Sequence, residues 1–229
     1  MTFEAGPLPT AEAVRVGRLS RPVRERKIAV GKLVFDKLFA LFALITLAPV
    51  MTVIALANLI GDRGPVFYKH KRIGQNGETF DCVKFRSMRV DSAEVLANLL
   101  ATDPAARAEW DRDQKLANDP RIHPVGRFLR KTSLDELPQF WNVLKGDMSI
   151  VGPRPIIADE AKRYGVHYAD YCAVRPGITG AWQVGGRNHT SYDERVALDV
   201  DYVRNATLFD DFRIVLKTFV VVLTQEGAS

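Results

Sequence analysis

Two adjacent carboxylates, Asp135 and Glu136, stand in the most basic stretch of the chain, among Arg121, Arg127, Arg130, Lys131, Lys145 and Arg154. An acid pair among arginines suits phosphate chemistry. A guanidinium binds phosphate oxygens through a planar fork, and Mg²⁺ takes one or two carboxylates together with phosphate oxygens and water. A carboxylate can also attack phosphorus itself and form an acyl-phosphate intermediate. One acid in each role accounts for two side by side. A purely local reading competes with this one. Ser133-x-x-Glu136 matches a capping box, in which Ser133 opens a helix, Glu136 bonds back to it and Asp135 complements the helix dipole. Arg154 weighs towards a ligand: the turn Val151–Pro155 holds it between two prolines, and a helix cap has no use for a stiffened guanidinium. Lys84-Phe85-Arg86-Ser87 is a second basic cluster that could bind the same anion, or face solvent on a strand.

Upstream, Leu38–Ile60 reads LFALFALITLAPVMTVIALANLI, without a charge and long enough for the roughly 20 residues that span a bilayer. A buried helix of a soluble core is the alternative. Pro49 sits at its midpoint and costs about 3 kcal/mol in a straight helix. Arg21, Arg24, Arg26, Lys27 and Lys32 precede the segment, and Arg63, Lys69, Lys71 and Arg72 follow it. Positive charge favours the cytoplasmic side, and both flanks carry it. A helix that dips in, bends at Ala48-Pro49 and returns satisfies both.

These features divide the chain into a basic disordered leader (1–31), a re-entrant membrane helix (32–60) and a cytosolic catalytic domain (61–229). The leader lacks the apolar core of a secretory signal. Gln75-Asn76-Gly77 predicts the turn of a β-hairpin. Helices are predicted over Ser92–Leu100, Pro104–Leu116, Ser133–Leu144, Tyr192–Val203 and Asp210–Gln225. The last is apolar yet holds Arg213 and Lys217, which suits an amphipathic helix at a membrane interface. The fold class is therefore α/β, one unit built around a monotopic membrane element.

A net charge of +5 and a pI of about 9.3 fit phosphorylated ligands, anionic lipid or nucleic acid. Cys82 and Cys172 stand far apart and in no metal-ligand spacing, so a disulfide framework is not expected. His70, His123, His167 and His189 form no zinc-binding pattern. Acids inside the most basic region weaken polyanion binding, so nucleic acid is not an expected partner. The rival to an enzyme is a non-catalytic membrane-surface binder of anionic lipid or nucleic acid.

Several stretches carry a more specific likeness: GPVFYKHKRIG, FDCVKFRSMRVD, DPRIHPVGRFLRKTSLDELPQFWNVLKGDMSIVGPRP, RPGITGAWQVGGRN, and DERVALDVDYV followed by DFRIVLKT. In these the chain resembles the bacterial sugar transferases, small monotopic phosphoglycosyl transferases, and among them those that start succinoglycan-type exopolysaccharide synthesis by galactosyl-phosphate transfer. The resemblance implies transfer of a sugar 1-phosphate, galactose or glucose, from a UDP-sugar to undecaprenyl phosphate with release of UMP. It puts the nucleophile of a covalent phospho-sugar intermediate on Asp135. Glu136 completes the dyad, and both acids organise Mg²⁺. Substrate phosphate falls to Lys84, Arg86, Arg130 and Arg154, and the helix break to Pro49. The implied location is the cytoplasmic face of the inner membrane, among its lipids. Protein partners compatible with that role are a second copy of the chain and later glycosyltransferases.

Overall fold

Val30–Gly61 forms one 32-residue helix, α1, that runs through Pro49. The structure, a computed structural model, describes residues 30–113, 116–185 and 190–224. Residues 1–29 of the expected leader lie outside the described residues, as do residues 186–189 at the end of the QVGGRN motif and Gln225 of the expected last helix. A core helix of a soluble protein would be mostly buried, but only 17% of the most apolar window of α1 is. Two hydroxyls bracket the proline. Thr46 donates to the Phe42 carbonyl at 2.8 Å and Thr52 to the Ala48 carbonyl at 2.9 Å, back-bonds of a kind that bends helices.

Both ends of α1 are fastened to the rest of the chain, while its middle is bare. Near the first end, Lys32 pairs with Asp211 at 2.9 Å, Lys37 donates to the Leu144 carbonyl, and Asp36 accepts from the Ser149 hydroxyl at 2.9 Å and the Ile150 amide at 3.1 Å. Near the other end, the Asn58 amide donates to the Arg86 carbonyl at 3.0 Å. Asp36 and Asn58 are both 0% exposed. Between them Leu41, Phe42, Ile45 and Val50 face outward.

The hairpin forms as the turn residues predict. Strands β1 (Phe67–Ile73) and β2 (Thr79–Phe85) pair antiparallel across a short 3₁₀ turn at Gln75–Gly77. Asn76 takes a left-handed φ of 59° there, which asparagine tolerates better than most residues. Helices α2 (Ser92–Thr102) and α3 (Pro104–Asp113) pack on each other and bury no residue fully, as an exposed insertion would.

The expected helix Ser133–Leu144 is replaced by two pieces that follow a separate helix. Helix α4 (Pro124–Thr132) ends at Ser133, a 3₁₀ turn covers Leu134–Glu136, and α5 (Gln139–Lys145) follows Pro138. Pro138 explains the division, since proline opens a helix more readily than it continues one. Helix α4 had a legible start: Pro124 stands at its first position and the His123 Nδ1 accepts from the Gly126 amide at 3.0 Å.

Beyond α5, β3 (Ser149–Val151) pairs in parallel with β4 (Gly177–Thr179). Helices α6 (Ala158–Tyr164) and α7 (Tyr168–Cys172) fill the crossover, and α8 (Ala181–Gly185), α9 (Tyr192–Asn205) and α10 (Leu208–Thr224) complete the chain. The unit is mixed helix and sheet as expected, but among the described residues its sheets are two two-stranded ladders. The main core gathers Ala40 of α1, Cys82 of β2, Val143 of α5, Ile150 of β3 and Val203 of α9. Helix α10 docks through Asp211, Ile214 and Val215, while Phe209, Phe212, Leu216, Phe219 and Val220 stay exposed along its outer side. Apolar patches of this kind mark contact surfaces.

A second core joins α6, α7 and α9. In it the Tyr164 hydroxyl donates to Asp199 at 2.7 Å, and burial pushes the Asp199 carboxyl up to about 7. The folded chain therefore keeps this proton at pH values where the unfolded chain has lost it. The stability that follows is complete below about pH 4 and is lost as pH rises through 7. The thermal unfolding midpoint should fall between about pH 5 and pH 8, and more gently in Asp199→Asn. An equal slope in the variant would refute this assignment.

Candidate active site

The dyad is placed by a strained corner. Ser133 closes α4 at φ 57°, ψ 16°, a left-handed conformation, and its side chain makes no cap hydrogen bond. A non-glycine residue there costs on the order of 1–2 kcal/mol, and such residues gather at functional sites. The capping box is thus not formed: Ser133 ends α4 and leads into a 3₁₀ turn that its side chain does not cap. In the 3₁₀ turn, successive side chains lie about 120° apart around the axis, so Asp135 and Glu136 take different surroundings.

Glu136 points at the hairpin and pairs with Lys84 at 2.6 Å. Burial pushes its carboxyl up, but the Lys84 and Arg154 charges and the Lys84 hydrogen bond outweigh this and hold it below the usual range. Asp135 makes no ion pair among the described residues. Burial, then the Glu136 charge, push it up to about 6, with Lys84 and Arg130 opposing. Two neighbouring carboxyls driven apart in this way can take different roles: Glu136 stays ionised and paired, and Asp135 remains an available base or nucleophile that is mostly ionised at neutral pH.

Around Glu136 lies an open pocket lined by Arg72, Cys82, Lys84, Gln139, Arg154, Pro155, Ile178 and Gln183. Its lining carries three cations against one carboxylate, an excess suited to a polyanion. Arg154 is delivered by backbone packing. Gly152 and Gly177 approach so closely that a Cβ on Gly152 would lie 2.6 Å from the Arg175 carbonyl, and one on Gly177 would lie 2.1 Å from the Gly152 amide. The Gly177 amide donates to the Pro153 carbonyl at 2.8 Å and the Gly152 amide to the Thr179 carbonyl at 2.9 Å. The motifs VGPRP and RPGIT are therefore one structural unit. Among the described residues nothing accepts from the Arg154 guanidinium.

Arg72 is the site residue that the sequence reading missed. It donates to the Pro155 carbonyl at 3.1 Å and lies 3.6 Å from Glu160. Burial and the facing Arg154 charge lower its pKa, with the Glu160 charge opposing. Its position on the same strand face as His70, opposite Phe80, becomes visible only with the hairpin register.

Two expected phosphate ligands have other partners. Arg86 is 5% exposed, and its guanidinium donates to Asp62, to the Pro65 carbonyl at 2.7 Å and to the Met88 carbonyl at 3.3 Å. It fastens the end of β2 to the end of α1 and does not line the pocket. Arg130 donates to the Ser87 hydroxyl at 2.9 Å and acts on Asp135 through its charge. Lys84 and Arg154 do line the pocket. Pro49 lies on the exposed stretch of α1.

No cluster of three or more metal-binding side chains occurs among the described residues. A hard divalent cation would therefore rely on one or two acids of the dyad plus phosphate oxygens and water, which is how Mg²⁺ is commonly held beside phosphates.

The sequence pattern of the bacterial sugar transferases matches residues 27–225. The chain belongs to that family. It is 51% identical over 211 residues to an undecaprenyl-phosphate galactose phosphotransferase of Salmonella typhimurium, a match covering 92% of this chain and 44% of that protein. It is 46% identical over 199 residues to the exopolysaccharide production protein ExoY of Rhizobium meliloti, covering 87% and 88%. It is also 41% identical over 213 residues to a UDP-glucose:undecaprenyl-phosphate glucose-1-phosphate transferase of Xanthomonas campestris, covering 90% and 41%. The chain thus spans less than half the length of the Salmonella and Xanthomonas relatives.

Arg86 and Arg154 should separate under mutation. Arg86→Met leaves Asp62 without its partner and should cost about 2–4 kcal/mol of stability, seen as a fall of several degrees in the thermal midpoint. Arg154→Met should stay within about 0.5 kcal/mol of wild type while weakening pyrophosphate binding about tenfold. A stable Arg86→Met that binds pyrophosphate poorly would reverse these roles.

Proposed function

We propose that the chain transfers a hexose 1-phosphate from a UDP-hexose to undecaprenyl phosphate, releasing UMP, at the cytoplasmic face of the inner membrane. The observation that carries this reading is the acid dyad on a strained turn beside a pocket whose lining has more cations than acids. Galactose and glucose both appear in the names of relatives, and UDP-galactose is the first donor to try.

Asp135 attacks the β-phosphorus of the donor through a carboxylate oxygen. The bond from that phosphorus to the bridging oxygen breaks, UMP leaves with the bridging oxygen, and the hexose phosphate stays on Asp135. A phosphate oxygen of the lipid acceptor then attacks the same phosphorus and frees the carboxylate. Lys84, Arg72 and Arg154 stabilise the charge that builds on the phosphoryl oxygens, which is the dominant contribution in phosphoryl transfer. Glu136 holds Lys84 in place. Mg²⁺, held by Asp135 or Glu136 with the diphosphate, would neutralise further charge.

The fastenings of α1 support a re-entrant course. Asp36 and Lys32 at one end and Asn58 at the other bond to the same catalytic unit. A crossing helix would separate its ends by a hydrocarbon layer of about 30 Å, whereas a helix that dips in at Pro49 keeps both on one side. The exposed side of α10, with Phe209, Phe212 and Phe219, suits a place at the interface. Together they hold the dyad at headgroup depth, where the acceptor phosphate lies, and acceptor capture becomes a search in two dimensions.

UMP release, measured on nanodisc-embedded protein with Mg²⁺, UDP-galactose and undecaprenyl phosphate, tests the reaction. Asp135→Asn should lower it by about three orders of magnitude, and residual activity above about a tenth of wild type would exclude the nucleophile role. Glu136→Gln should also be severe and should shift the Mg²⁺ dependence. The helix course has its own test: Pro49→Leu should let α1 straighten and cross. Cysteines placed in residues 1–29 would then become accessible from the outside, whereas unchanged labelling would count against the bend.

A further inference from the structure

The hairpin presents more than phosphate ligands. In its register Tyr68 stands opposite Lys84, His70 opposite Cys82 and Arg72 opposite Phe80. Directly opposed residues share a face of an antiparallel pair, so Tyr68, His70 and Arg72 lie on the face from which Cys82 and Lys84 reach the pocket. The Arg72 Nη2 lies 3.1 Å from the His70 Nδ1. A guanidinium has donors and no acceptor. Nδ1 must therefore accept, and the single ring proton of a neutral His70 sits on Nε2. Burial, followed by the Arg72 and Lys84 charges, lowers the His70 pKa and keeps the ring uncharged at neutral pH. The result is an oriented neutral donor set among cations. Beside it, at 5.9 Å between ring centroids, stands Tyr68, which is 53% exposed.

We propose that His70 contacts the hexose of the donor, offering its Nε2–H to a sugar hydroxyl while Arg72 fixes the ring from behind. The inference rests on the transfer reaction proposed above. In that reaction the hexose hangs from the phosphorus that Asp135 attacks. Lys84 is bonded to Glu136, the neighbour of Asp135, which brings the strand face around Lys84 within reach of the hexose. The chemistry matches in kind. Phosphate oxygens call for Lys84, Arg72 and Arg154, whereas an uncharged hydroxyl oxygen accepts from a neutral donor without the desolvation cost of a further cation. The exposed Tyr68 ring supplies a flat apolar surface for the C–H face of a pyranose. On this arrangement His70 discriminates between donors, and the cations bind whatever diphosphate is offered.

The test is kcat/KM for UMP release over donors that differ at one sugar position: UDP-galactose and UDP-glucose at C4, UDP-N-acetylglucosamine at C2, and UDP-xylose at C6. Wild type, His70→Ala and His70→Gln are compared. His70→Ala should lower kcat/KM for the preferred donor about 3–10-fold, the worth of one hydrogen bond. It should move the ratio of that donor to at least one other member of the panel by a similar factor. His70→Gln, whose amide keeps a donor at the same reach, should restore that ratio. Equal losses for every donor in both variants would overturn the proposal and leave His70 as a support for Arg72. Unchanged ratios with weaker inhibition by UMP would assign the ring to the nucleotide instead. Silence of the wild type across the whole panel would remove the transfer reaction itself, an outcome separate from any of these.

Discussion

A carboxylate and a carboxamide set in an apolar helix must find hydrogen bonds, and this constraint organises the molecule. Asp36 and Asn58 are both fully buried on α1, where an unpaired polar group costs several kcal/mol. Asp36 takes the Ser149 hydroxyl and the Ile150 amide, and the strand it grips runs on into Gly152 and Arg154. Asn58 takes the Arg86 carbonyl, two residues beyond Lys84. Each half of the cationic pocket thus hangs from one end of α1. The helix is a frame for the site. Arg86 belongs to the same frame: with its guanidinium spent on Asp62, Pro65 and Met88, it closes the second junction.

Within that frame the electrostatics are unbalanced on purpose of the fold. Arg154 stands close enough for its charge to lower the Arg72 pKa. Arg72 lies 3.6 Å from Glu160 and Lys84 is matched to Glu136, so Arg154 is the pocket cation left without a carboxylate among the described residues. The same field acts on the dyad unequally. Glu136, in direct contact with a cation, is held low, while Asp135, a step further and buried beside a negative neighbour, is pushed up to about 6. Successive side chains point about 120° apart in the 3₁₀ turn that follows Ser133, so the two acids meet different neighbours.

Much of this was legible beforehand, for physical reasons that can be named. The acid pair, the stiff VGPRP turn and the Gln75-Asn76-Gly77 hairpin each rest on local chemistry: side-chain charge, the fixed φ of proline, and the tolerance of Asn and Gly for left-handed backbone. Where the reading failed, local and tertiary preferences disagreed. Ser133-x-x-Glu136 satisfies the capping pattern, yet Lys84, on a strand 52 residues away, outbids the backbone for the Glu136 carboxylate. Arg86 and Lys84 stand in one short basic cluster and looked alike. Their fates diverge because Lys84 lies within β2 and reaches the dyad, whereas Arg86 stands one residue past the end of the strand and reaches Asp62. Arg72 carried no signal at all until pairing placed it across from Phe80.

The sequence by itself determined the ingredients: an uncharged segment flanked by positive charge, an acid pair among arginines, and the motifs that place the chain among the bacterial sugar transferases. These follow from composition and short-range spacing, which a linear reading retains. Only the tertiary structure decided which cations face the acids, which merely hold the frame, and how far apart the two carboxyls are driven. Those outcomes depend on distances between residues remote in the chain and on burial, and both arise only when VGPRP meets RPGIT and the hairpin closes over the 3₁₀ turn.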